Sequence, residues 1–158
     1  MRRIGCARAG WLVVLGAAAL LMALLTWIVT RPAKGKWSAP SNGVQAMLSC
    51  GRPHYIVGEE IKVCLRFRNV GKTSRTIKMP SLYATIHMSR NKKGFADAIG
   101  AYPKGVDELR LLPGRKSQEL FLCGCRTDIE GAGTYEFDGS IGGDGYVWHF
   151  EGLPVSVW

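Results

Sequence analysis

The chain has 158 residues, 47% of them hydrophobic, which is enough for a real core and excludes a chain too polar to fold. Twenty glycines and seven prolines point to many turns, as an all-β domain needs. The formal net charge of +9 is unevenly spread: residues 31–116 carry seventeen Lys and Arg against five acids, and residues 117–158 one Arg against seven. Such asymmetry reads either as a basic face for an anionic partner or as distant strands that neutralise each other once folded.

In chain order, residues 1–10 form a short tail with Arg2, Arg3 and Arg8, expected to be cytoplasmic. Trp11 to Val29, WLVVLGAAALLMALLTWIV, is an uncharged run of nineteen residues. At about 1.5 Å per residue it spans roughly 28 Å, close to a bilayer's hydrocarbon core. Arg8 and Arg31 bracket it, and Trp11 and Trp27 sit where interfacial aromatics belong. A transmembrane helix over 11–29 is therefore expected. A cleaved signal peptide is the rival, but no small-x-small site follows the run. Cations flank both ends, so the charge rule sets no orientation.

Residues 30–43 are rich in Pro, Gly, Ser and Lys and read as a flexible linker. Short β-like runs then recur over 44–158. Val44–Ser49 is a first strand. In Glu59–Asn69, Ile61, Val63, Leu65 and Phe67 fall on one face, and Lys62, Cys64, Arg66 and Arg68 on the other. Further strands are expected at Thr73–Met79, Tyr83–Ser89, Phe95–Ala101, Val106–Leu112, Ser117–Cys125, Gly133–Ile141, Tyr146–Phe150 and Pro154–Trp158. Turns separate them at Asn91–Gly94, Pro113-Gly114 and Gly142–Gly145.

Three segments carry a resemblance. Val57-Gly58-Glu59-Glu60 leads into a long strand closed by Asn69-Val70-Gly71. Leu112-Pro113-Gly114 precedes Ser117, and Gly133-Thr134-Tyr135-Glu136-Phe137 is a late strand. Together with Leu153–Val157 they resemble bacterial immunoglobulin-like modules, and their spacing is similar to proteinase-inhibitor-like Ig-type domains. The resemblance implies an all-β, immunoglobulin-like β-sandwich over 44–158 behind one transmembrane helix. Bacterial domains of this kind often lack cysteine, whereas this stretch has four.

With Leu120 and Leu122 inward, Cys123 and Cys125 face outward with Cys64, and an Ig-like sheet makes those strands neighbours. Possible disulfides are then Cys64–Cys123 and Cys50–Cys125. A Cys-x-Cys metal or redox site and inert reduced thiols are the alternatives. Oxidised cysteines and the resemblance together place the domain outside the cytoplasm, periplasmic or at the cell surface.

Little else suggests chemistry. Soft ligands at His87, Met88 and Met79 suit copper, with core packing as the plain alternative. No G-x-S-x-G, H-E-x-x-H, P-loop or G-x-G-x-x-G occurs, and Glu59-Glu60 and Asp107-Glu108 are adjacent residues that point to opposite faces on a strand. Arg66, Arg68, Arg75, Lys78 and Arg90 form a possible basic interaction face. The expectation is a membrane-anchored module that binds an unknown envelope protein, with no cofactor, no nucleic-acid partner and no enzymatic activity. The alternatives are an envelope metal- or ligand-binding protein using Cys, His and Met groups, or a domain secreted after signal cleavage.

Overall fold

The computed structural model describes residues 5–101, 103 and 106–158, with side chains at 13–28, 30–94, 96–98, 103, 106–128 and 130–158. The chain divides into two compact units, Met1–Arg31 and Pro32–Trp158. The first holds a 26-residue helix, α1 (Gly5–Thr30). Residues 5–10 of the expected tail belong to this helix, and 1–4 lie outside the described residues. Among the described residues no helix is long and apolar enough to cross a membrane. The expected 11–29 span includes Trp11, Leu12 and Val29, whose side chains lie outside the described ones. Within 13–28 the apolar side chains stand exposed, Leu20 at 75% and Met22 at 64%. The hydroxyls of Thr26 and Thr30 donate to the carbonyls of Met22 and Thr26, each at 2.8 Å.

The second unit is all-β. Its strands are β1 (Ala33–Lys34), β2 (Val44–Cys50), β3 (His54–Tyr55), β4 (Glu60–Asn69), β5 (Arg75–Lys78), β6 (Tyr83–Arg90), β7 (Lys93–Ala101), β8 (Glu108–Leu111), β9 (Leu120–Arg126), β10 (Gly133–Gly143) and β11 (Tyr146–Val157). A one-turn helix, α2 (Thr127–Glu130), joins β9 to β10. One sheet has the order β1-β2-β4-β9, a second β3-β11-β10-β6-β7, and β5 pairs with β8 in a small third.

The expected phase of β4 holds: Ile61, Val63, Leu65 and Phe67 are each 0% exposed. Burying such a side chain stabilises by about 1.5–3 kcal/mol relative to leaving it in water. Opposite them in the same core lie Tyr135, Phe137 and Ile141 of β10 and Trp148 of β11. The Trp148 indole ties the two large sheets together, its Nε1 donating to the Val44 carbonyl at 2.8 Å with its ring centroid 5.1 Å from Phe67.

Three expectations are corrected. The stretch read as a flexible linker is bound along β2: Ala33 pairs with Cys50, and the N–H groups of Gly35, Ser38 and Ser41 donate to the carbonyls of Leu48, Ala46 and Val44. The free edge of β2 supplies acceptors that outweigh the Pro/Gly composition. The last two expected strands are one, β11, which absorbs one extra residue through an irregularity between the Phe137 and Gly139 pairs. Gly139 has φ 143°, and a Cβ there would overlap the Thr85 carbonyl oxygen, so only glycine lets β10 lie against β6 at this point. The third correction concerns the cysteines.

Candidate functional site

The outer face of the four-stranded sheet is built from alternate residues of β2 and β4. Antiparallel register sets Gln45 beside Arg68, Met47 beside Arg66 and Ser49 beside Cys64. The bound 33–41 segment then brings Trp37 onto this face. Gln45 Nε2 donates to the Ser38 carbonyl at 2.8 Å, and its Oε1 accepts from Arg68 Nη2 at 2.6 Å. So held, the Arg68 guanidinium lies over the Trp37 ring, 4.6 Å from its centroid. Lys116, bridged to Arg68, brings its Nζ to 5.9 Å from the same ring. A cation over an indole is worth roughly 0.5–1 kcal/mol at an exposed site. Nearby, Arg66 Nε lies 3.6 Å from the Glu119 carboxylate, which also accepts from the Ser49 hydroxyl at 3.3 Å.

Of the five expected basic residues, Arg66 and Arg68 share this face and the other three do not. Arg75 and Lys78 lie on β5, with Arg75 Nε buried and without a hydrogen-bond partner. Arg90 ends β6 in the other large sheet. The acidic C-terminal third partly neutralises the basic remainder, as Arg66–Glu119 and Lys36–Glu151 show. Sequence reasoning missed Trp37, Lys116 and Gln45. The lone indole in a Lys-, Pro- and Gly-rich stretch was the available signal.

The cysteines do not pair as expected. All four are free. A bulge at Leu122 shifts the β4–β9 register, so Cys64 lies beside Phe121 while Cys123 lies beside Val63 and Cys125 beside Ile61. Residues paired across antiparallel strands share a face. Cys123 and Cys125 therefore turn to the core and Cys64 alone stays outside. Cys50 also pairs with Val63, from the other side of β4, which separates it from Cys125 by a whole strand. Burial raises all four thiols, with Cys123 and Cys125 each pushed up to about 11. A thiol held protonated is a poor nucleophile and a poor metal ligand.

The copper reading fares no better. Met79 and Met88 are buried in the core at 0% and 7% exposure, whereas His87 is exposed and bound through Nδ1 to Asp97 at 2.7 Å. Among the described residues no group of three His, Cys, Asp or Glu could hold a metal ion. An open depression of about 280 Å³, lined by Asn91, Lys92, Thr134 and Glu136, brings no catalytic group together.

No family model and no curated protein matches the chain. Among solved structures it is similar to a β-glucosidase from Erythrobacter marinus, with TM-score 0.38 and 11% identity over 77% of this chain. A β-glucosidase from Listeria innocua in complex with gluconolactone gives TM-score 0.38 and 12% identity over 76%. The chain spans about 16% of the length of either. These neighbours are enzymes, and the expectation of a non-enzymatic chain is corrected to no statement about activity. At that score and coverage the likeness assigns no activity to this chain.

Proposed function

We propose that the chain is a membrane-anchored, extracytoplasmic immunoglobulin-like module that binds another envelope protein through the outer face of its four-stranded sheet. The observation that carries the binding reading is Trp37 flanked by Arg68 and Lys116, with Arg66 and Lys62 on the same face. Trp and Arg are the side chains most enriched at the energetic centres of interfaces, and this charge favours an acidic partner surface.

Two features support the immunoglobulin-like sandwich. The order β2-β4-β9 facing β11-β10-β6-β7 matches the A-B-E and G-F-C-C′ arrangement of such folds. The Tyr135 hydroxyl, near the start of β10, donates to the Gly131 carbonyl at 2.7 Å, like the tyrosine corner of these domains. Membrane anchoring is supported by α1, whose exposed apolar side chains find no core in the described residues and whose threonine hydroxyls are satisfied within the helix. The extracytoplasmic side rests on the likeness to envelope modules, because free thiols remove the disulfide argument.

The test is capture by the full chain from its own membranes, comparing wild type with Trp37→Ala, Arg68→Glu and Tyr83→Ala. A partner retained by Tyr83→Ala, which alters the other sheet, and lost by the first two supports the reading. A capture pattern identical in all four chains overturns it.

A further inference from the structure

We infer that the end at which the chain enters the 32–158 unit docks onto the headgroup region of a lipid bilayer. This rests on the proposed membrane anchor. Because Ala33 is already paired with Cys50, only Thr30, Arg31 and Pro32 separate the apolar run from an ordered strand. Fully extended, that connection reaches about 14 Å. A domain on so short a tether has its entry end held beside the bilayer surface, so even weak affinity gives high occupancy.

That end carries an apolar tip. The Gly51–Glu59 connection leaves β2, adds β3 to the second sheet and returns to β4: Gly58 N–H donates to the Thr127 hydroxyl after β9, Val57 N–H to the Trp158 carbonyl at 2.9 Å, and Trp158 N–H to the Tyr55 carbonyl at 3.0 Å. These bonds set Ile56, Val57 and Trp158 side by side at 66%, 42% and 73% exposure. Tyr55 and Val157, their neighbours at that end, are by contrast folded inward, at 5% and 2% exposure. The β6–β7 turn reaches the same end, since Asn91 N–H donates to the Thr134 carbonyl at 2.8 Å. It adds exposed Lys92 and Lys93, and Lys34 stands beside the entry point. Of the acids here, Glu59 is held by Arg52 and by the Ile56 N–H, and Asp128 by Arg126. The lysines are thus set against Glu60, Glu130 and Glu136, the last of which lines the same depression as Lys92.

An indole and two aliphatic side chains within a lysine rim suit the bilayer interface, where indoles concentrate and anionic headgroups attract lysine. Position decides the occupant: the surface sits where the chain leaves its anchor, on the end that a bilayer meets first.

The test uses the full chain in vesicles of phosphatidylcholine and phosphatidylglycerol, with or without bromine at shallow acyl positions. Subtracting the emission of Trp158→Phe from that of wild type isolates Trp158. An apolar tip about 5–10 Å into the interface loses roughly half of this emission in brominated vesicles, and Ile56→Asp restores most of it. Trp158 emission that is equal in both vesicles and open to aqueous iodide overturns the inference. Emission shielded from iodide, untouched by bromine and dependent on protein-to-lipid ratio also overturns it, giving the surface to a second copy. Alkaline carbonate washing separates the two readings: a retained chain without quenching refutes the docking alone, and a released chain refutes the anchor as well.

Discussion

Replacing Trp148 by Phe tests the packing between the two large sheets. The indole is 1% exposed, its Nε1 donates to the Val44 carbonyl at 2.8 Å, and its ring stacks on Tyr146 at 5.0 Å. Phenylalanine removes the donor. Val44's carbonyl still accepts from the Ser41 N–H at 2.8 Å, so no acceptor is orphaned and the cost stays near one ordinary net hydrogen bond, about 1 kcal/mol. Truncating a buried Trp to Ala costs about 3–5 kcal/mol, and Phe keeps one ring, which leaves a packing share of about 1–2 kcal/mol. The sum is about 2–3 kcal/mol, a large part of a typical domain's 5–15 kcal/mol. Urea unfolding of the Pro32–Trp158 unit, followed by far-ultraviolet circular dichroism, reads this out. With a slope of about 1.5 kcal/mol/M the midpoint falls by roughly 1.5 M. Trp37→Phe, on the outer face, shifts it by less than about 0.3 M. A Trp148→Phe shift as small as that of Trp37→Phe, at unchanged slope, refutes the clamp between β2 and β11.

Leu65→Asp places an unpaired carboxylate in the core and abolishes folding, whereas Arg66→Asp, on the outer face of β4, leaves a cooperative transition; equal losses reject the strand phase. Gly139→Ala costs at least about 2 kcal/mol, because φ 143° and the Thr85 carbonyl both oppose a Cβ; Gly94→Ala, which meets nothing within 4 Å, is the control, and parity between the two in chemical unfolding rejects the close approach. Burial keeps Cys123 and Cys125 protonated up to about 11 against an ordinary 9.0, so the folded state holds these protons more tightly than the unfolded chain. Their contribution to stability is full below pH 9 and is lost as pH rises to about 11. Stability measured across that window should fall with pH in wild type and fall less steeply in the Cys123→Ala, Cys125→Ala double variant, where the raised Cys50 and Cys64 thiols remain; parallel slopes sink the assignment. Alkylation of the unfolded chain without reductant, followed by peptide mapping, should label Cys50, Cys64, Cys123 and Cys125, and a linked Cys64–Cys123 peptide contradicts the register.

Much of the all-β unit was legible in the residues themselves. The period of two in β4 names its buried face without reference to any neighbour, because successive side chains on a strand point to opposite sides. The turns at Asn91-Lys92 and Asp144-Gly145 were equally local, and all four residues take positive φ. Other features belong to pairs of strands. The bulge at Leu122 exists only in the register of β9 against β4, and it reverses the faces that simple alternation assigns to Cys123 and Cys125. The 33–41 segment has the composition of a tether, yet it is ordered because the unpaired edge of β2 offers carbonyls that no sequence window contains.

The sequence by itself determined which residues enter the core of β4, the turn positions and the uncharged run of 11–29, all of which depend on neighbours along the chain. Only the tertiary structure decided that Trp37 meets Arg68 and Lys116, that Arg75, Lys78 and Arg90 lie elsewhere, and that the four cysteines of the β unit stay unbonded. Those outcomes depend on strand order and register, which are set by long-range pairing between segments whose local patterns are each compatible with several partners.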